Sequence, residues 1–313
     1  MLNLDKLKIK TNISYIKNIN NNSFEIIAKD GVIKKYHYYQ KEPYLLSIKV
    51  DNTNNELIIE FTSRILKDDC INLINIDSIK QCLDNINKLR ICNIDVENII
   101  KNSTVLKCDV TKDIQINQPV KNIISQIARS IKNYNRWKPK TYRNEGIALE
   151  KVVKTKKYKS RMVIYDKHKE LTRKSNNLFL LSLEKRTNVL NYFKNKLRFE
   201  LNINSMVQIR DLLMIRNNEL LTVLNSRSNP IHYVLNGILD QKVNTLHSTE
   251  WKDYIKELVL RDNDFNIEKV EAKIRSMVTK NTSIRRKLEP YKEFLNKINM
   301  TDCDAIDVLT LVA

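Results

Sequence analysis

Residues 196–204, KLRFELNIN, alternate without a break: Leu197, Phe199, Leu201 and Ile203 face one way, Arg198, Glu200, Asn202 and Asn204 the other. Such a segment has the two-residue period of a β-strand and must bury one side while wetting the other. It therefore demands a sheet with one covered face. Other stretches supply the remaining strands: SFEIIAKDG (23–31), YLLSIKVD (44–51), ELIIEF (56–61), TVLKCDV (104–110), GIALEKVVK (146–154) and YKSRMVIY (158–165). The turn DNTNN (51–55) joins two of these into a hairpin, and the lysine-rich TKKYK turn joins another two.

Helical periodicity separates the strands. Over 77–101, Ile79, Leu83, Ile86 and Leu89 share one side behind an Asp77 cap. A second helix spans 119–133, opening at Pro119 with Val120, Ile123, Ile124 and Ile127 on one side, and a third spans 176–195. The order βαβ followed by βαβ predicts an α+β domain over 1–205, an antiparallel sheet with helices on one face. From Met206 the pattern is helical, with breaks at Asn229-Pro230, near Asp262-Asn263-Asp264 and at Pro290, so 206–313 is expected to be a helical C-terminal domain.

Charge narrows the partner. Residues 121–175 carry 17 Lys and Arg against four acids, so +13 of the chain's net +19 lies there. A solvated basic face is the plain reading, but clustered cations bind polyanions by releasing phosphate counterions. Tyr134, Trp137, Tyr142 and Tyr158 lie among these charges, where they would stack on unpaired bases. No strongly amphipathic helix accompanies the charge, which argues against a membrane surface. No apolar run reaches the ~18 residues of a membrane span. The N-terminal MLNLDKLKIK has no apolar signal region. Five cysteines without CxxC spacing fit a reducing cytoplasm and oppose both a disulfide framework and a zinc site. Three glycines leave no phosphate-cradling loop, so nucleotide hydrolysis has no site.

Four polar residues interrupt apolar strands: Glu60 in LIIEF, Asp109 in KCDVT, Tyr165 in MVIYDK and Glu200 in LRFELNI. Each alone reads as the solvent side of a strand. Together, three carboxylates and a tyrosine on one sheet face would form a centre, because clustered carboxylates repel unless a cation or a proton offsets them. Oxygen ligands suit Mg²⁺ or Mn²⁺, and tyrosine is able to act as a covalent nucleophile. Lys167, two residues beyond Tyr165, would lower the tyrosine pKa or stabilise a leaving oxygen, and Lys156, Lys157, Lys159 and Arg161 would hold a phosphate backbone. Arg198, on the polar side of KLRFELNIN, joins them as a phosphate contact.

VIYDKHKEL, with LRFELNI some 30 residues later and KCDVTKDI some 55 earlier, resembles the rolling-circle replication initiators of filamentous phages, the gene II protein family. More distantly it is similar to initiators of small rolling-circle plasmids. A hairpin ending in ELIIEFTSRILKDD, a helix and then the aspartate strand fit the same order, and the resemblance covers about 20–205. It implies an HUH-like initiator domain and a metal-dependent nickase that cuts one strand at a replication origin. The tyrosine keeps the 5′-phosphate and the free 3′-hydroxyl primes synthesis. By position Tyr165 matches the nucleophile, Lys167 and Glu170 match the Y-x-K-x-x-E pattern, and Glu60, Asp109 and Glu200 fall at acidic strand positions assigned to the metal. The chain departs from the family where Lys67-Asp68-Asp69-Cys70 replaces a Gly-His-Asn-like turn, and it has no His-hydrophobe-His motif; His37 and His168 are the histidines available as ligands. Origin DNA, single-stranded or supercoiled, is the implied partner, with a host helicase and polymerase downstream. The alternatives are a non-catalytic DNA-binding replication regulator and a structural or RNA-binding module; protein-linked nicked circles would separate the first reading from both.

Overall fold

The computed structural model describes all residues except 1, 118, 130–136, 143–144, 154–158, 240–249, 264–266, 279 and 299–307. The alternating segments pair into one antiparallel sheet of ten strands: β1 (Leu4–Asn12), β3 (Glu25–Lys29), β4 (Val32–Gln40), β5 (Leu46–Asp51), β6 (Glu56–Thr62), β8 (Thr104–Gln115), β9 (Trp137–Tyr142), β10 (Gly146–Lys151), β11 (Arg161–Asp166) and β12 (Lys196–Ile203). Their order is β3-β4-β5-β6-β1-β8-β12-β11-β10-β9, while β2 (Ile16–Ile19) pairs apart with β7 (Cys92–Ile94). The α+β class with an antiparallel sheet is thus what the chain adopts.

Three strands of this sheet, β4, β9 and β1, were not foreseen in the sequence, and β1 lies in its middle, between β6 and β8. Its LDKLKIKTN alternates like KLRFELNIN: Leu7 and Ile9 are fully buried, and Lys6, Lys8 and Lys10 take the other side. The register carries this two-sidedness across the central strands. Leu7 stands opposite Phe61 and Cys108, Leu201 opposite Val110 and Met162, and Ile164 opposite Ile147, all buried. On the other face Lys8 stands opposite Glu60, Lys6 opposite Asp109, Glu200 opposite Thr111, and Arg198 opposite Asp113 and Tyr165.

Helices cover the apolar face: α1 (Ile79–Lys88), α2 (Val96–Asn102), α3 (Val120–Arg129), α7 (Met206–Leu213), α8 (Leu220–Leu224), α9 (Pro230–Ile238) and α13 (Val308–Val312) share its core. The helix expected over 77–101 is broken into α1, β7 and α2, and Ser78, not Asp77, is the first cap position. Asp95 recapitulates the cap lower down, its carboxylate accepting from the Asn98 amide. The segment expected as one helix over 176–195 divides into α5 (Asn177–Leu181) and α6 (Arg186–Phe193) after the short α4 (Lys167–Leu171). The remaining α10 (Trp251–Arg261), α11 (Ile267–Met277) and α12 (Asn281–Ile298) have a small core of their own around Leu260, Val270, Leu288 and Phe294. Pro290 does not break the chain as expected: α12 runs through it, because Leu288 and Phe294 on either side are both anchored in that core.

Candidate functional site

Tyr165 ends β11 on the polar face, half-buried, with Arg198 of β12 on one side and Gly146 of β10 on the other. The glycine is required by the approach: a Cβ on Gly146 would lie 2.9 Å from the Tyr165 Cβ and 3.0 Å from the Ile164 carbonyl. One step diagonally along β12, Glu200 accepts a hydrogen bond of 2.5 Å from the Tyr165 hydroxyl. The chain turns at Asp166, whose carboxylate caps α4, and this turn returns Lys167 to the tyrosine. Its Nζ lies 3.5 Å from the Tyr165 oxygen and 2.8 Å from Glu170 Oε2. Glu170 also accepts from Arg64 at 3.0 Å and from Asn176.

Arg198 is 1% exposed and holds this end of the sheet together. Its Nε and Nη2 grip Asp113 at 2.7 Å each, and its Nη1 reaches Asp5 at 2.8 Å, which also accepts from Ser63. Phe193 of α6 covers the guanidinium, and Arg64 lies over Phe179 of α5. The α5 and α6 helices, with the Ser63–Asn72 turns, thus roof one end of an otherwise open polar face. Asp68 ties this roof to the start of α6 by accepting from the Glu184 and Lys185 amides.

Crowding of acids against low-dielectric surroundings sets the protonation states. Burial, reinforced by the negative Asp5, pushes Glu200 up to about 7. Burial does the same to Asp109, raised to about 6, with Asp5 and Glu60 adding repulsion. Burial opposes ionisation of Asp5 too, but Arg198 and then Lys167 outweigh it and hold Asp5 at about 2. Tyr165 is raised well above its ordinary value, first by burial and then by Glu200. The lowering expected from Lys167 is not met, because burial and the charge of Glu200 dominate at the phenol.

Tyr165, Lys167 and Glu200 are therefore brought together, and Asp109 lies two strand positions from Glu200 behind Asn202. Glu60 is apart. Burial opposes its ionisation, but Lys6 at 2.5 Å and Lys8 at 3.0 Å outweigh this and keep the carboxylate below its usual range. Among the described residues no group of three or more His, Cys, Asp or Glu side chains is placed to hold a metal ion. Glu60, Asp109 and Glu200 do not fit one shared ion. His37 sits near the opposite edge with Ser47 and Glu25, and His168 is not among the tyrosine's hydrogen-bond partners.

Of the phosphate contacts expected, Arg161 and Lys159 lie on the tyrosine's face beside Glu150, with Arg161 also donating to the Tyr142 hydroxyl at 3.2 Å. Exposed Lys138 and Lys140 of β9 extend this strip, Lys140 over the Tyr142 ring. Arg198 is not available to phosphate: its donors are spent on Asp113 and Asp5 under Phe193. Trp137, expected to stack on bases, is buried in the core. Lys156, Lys157, Tyr134 and Tyr158 lie outside the described residues.

Residues 72–219 match a phage family described as the N-terminal region of a replication-associated protein, the gene II protein. The match, a little under half of the chain, takes in β8 to β12 and so Asp109, Asp113, Tyr165, Lys167, Glu170, Arg198 and Glu200, but not Asp5, Glu60 or Arg64. It supports a phage replication-initiator role. Comparison with curated proteins and with solved structures gave no match. Among the described residues no helix is long and apolar enough to cross a membrane.

The sequence reading missed Asp5, Arg64, Asp113 and Asn176. Asp113 was within reach of pattern reasoning, since KCDVTKDI places it in phase with Asp109 and Thr111. Asp5 and Arg64 had no such signal; their partners lie 193 and 106 residues away.

Proposed function

We propose that this chain initiates rolling-circle replication of phage DNA by nicking one strand through Tyr165. The observation that carries the reading is the 2.5 Å hydrogen bond from Tyr165 to Glu200, a carboxyl raised to about 7, on an open basic face. Ionised Glu200 accepts the tyrosine proton as the phenolic oxygen attacks phosphorus. The bond to the 3′-oxygen breaks, and that oxygen leaves toward solvent, which supplies its proton. The 5′-phosphate stays on Tyr165. Lys167, 3.5 Å from the oxygen, offsets the charge that develops there and on the phosphoryl group. Lys138, Lys140, Lys159 and Arg161 hold the backbone leading to the tyrosine.

Mg²⁺ or Mn²⁺ is the proposed cofactor on the family resemblance, and no step is assigned to it. The host cytoplasm, with a helicase to open the duplex and a polymerase to extend the 3′ end, is the proposed setting. The test is a supercoiled plasmid carrying the DNA around the protein's own gene, incubated with either ion. Nicked circles bearing protein on the 5′ end are expected from the wild type and none from Tyr165→Phe, which should still bind. A Phe variant that nicks and still forms the adduct would overturn the assignment. The high pKa of Tyr165 favours one rival, a non-catalytic DNA-binding regulator; binding of the origin by the wild type without any nicking supports that instead.

A further inference from the structure

The two edges of the ten-stranded sheet are treated differently. At one end β9 reads Trp137-Lys138-Pro139-Lys140-Thr141-Tyr142, with a proline between two exposed lysines. Proline and lysine are the usual means by which an edge strand is kept from pairing with another chain. At the other end β3, Glu25-Ile26-Ile27-Ala28-Lys29, is exposed at all five positions, and Ile26 and Ile27 show 43% and 46% of their surface. No proline or central charge guards it. The irregularity in its pairing with β4 lies between Ile27 and Ala28, where the extra residue belongs to β4, so the outer edge of β3 is regular.

The sequence of β3 is complementary to itself. Laid antiparallel to a second copy about Ile27, Glu25 faces Lys29 of the second copy, Ile26 faces Ala28, and the two Ile27 side chains meet on the axis. Both ion pairs then fall on the face that carries Ile27, and both small apolar pairs on the other. We infer that β3 is a homodimer edge, joining two sheets across a two-fold axis normal to them. The joined sheet keeps its polar faces on one side, so both Tyr165 sites look toward the same DNA.

The test is the mass of the full-length protein by sedimentation equilibrium without DNA, with melting curves as a folding control. A concentration-dependent dimer is expected. Ile27→Lys sets two lysines face to face on the axis and should give a monomer that still melts cooperatively, since Ile27 is exposed in the single chain. Glu25→Lys or Lys29→Glu alone should raise the dimer dissociation constant about tenfold by opposing like charges twice, whereas the double exchange Glu25→Lys/Lys29→Glu should restore the wild-type value. A wild type that stays monomeric at every concentration overturns the inference. So does a dimer indifferent to Ile27→Lys, or a double exchange that fails to recover what the single ones lose.

Discussion

Glu200 and Asp109 are carboxylic acids held against their own ionisation, and that has a thermodynamic consequence. Folding raises Glu200 from 4.5 to about 7 and Asp109 from 3.8 to about 6, burial being the main cause for both. Between those values the folded chain holds protons that the unfolded chain has released, so stability from these two groups is greatest in acid and is lost as pH rises toward 7. Glu200→Gln should therefore melt like the wild type near pH 5 and higher than it near pH 8, while losing nicking. Equal melting shifts at both pH values would mean that Glu200 does not carry the raised pKa. Arg198 behaves oppositely. Arg198→Met leaves Asp113 and Asp5 buried without their cation, and denaturant titration should show a loss of about 3–5 kcal/mol. A loss under about 1 kcal/mol would show that the two aspartates find other partners. Gly146→Ala should displace Tyr165 by the 2.9 Å contact its Cβ would make, cutting nicking while DNA binding persists; unimpaired nicking would mean that β10 yields instead.

Strands carried their own identity in the sequence far better than their neighbours did. KLRFELNIN announced both its state and its buried side, and Leu197, Phe199, Leu201 and Ile203 are all fully buried. Tyr165 was legible as well, because a phenol at the end of an apolar strand and before a charged helix start is unusual locally. What could not be read was order. The β1 strand enters between β6 and β8, a placement decided by long-range pairing, and with it come Asp5 under Arg198 and the two lysines that claim Glu60. Lysines on β1 thus turned a carboxylate expected at a metal into a partner of an ion pair. This partly exposed pair at the sheet surface is worth little. Glu60→Gln should cost less than about 1 kcal/mol and leave nicking unchanged; a fall in nicking by orders of magnitude would return Glu60 to the reacting centre.

The sheet needs more of the chain than its strands. A division into 1–205 and 206–313 is proposed by the change from strands to helices at Met206, yet Ile209, Leu213, Val223, Leu224, Leu235 and Ile238 are buried in the sheet's own core. The far end of the chain returns to the same core: Val308, Leu309 and Val312 are buried there, Lys112 donates to the Val312 and Ala313 carbonyls, and Asn229 donates to that of Val312. By contrast Leu260, Val270, Leu288 and Phe294 bury one another. A chain ending at residue 205 would strip the cover from Val110, Leu201 and Ile203, and burial of apolar surface is worth about 25 cal/mol per Å². That fragment is expected to bind a hydrophobic dye and to melt broadly or aggregate, whereas deletion of 250–298 alone should leave a cooperative melt. A 1–205 fragment that melts cooperatively at the full-length temperature would establish the boundary at Met206 and show that the helices after it merely rest on a sheet stable without them.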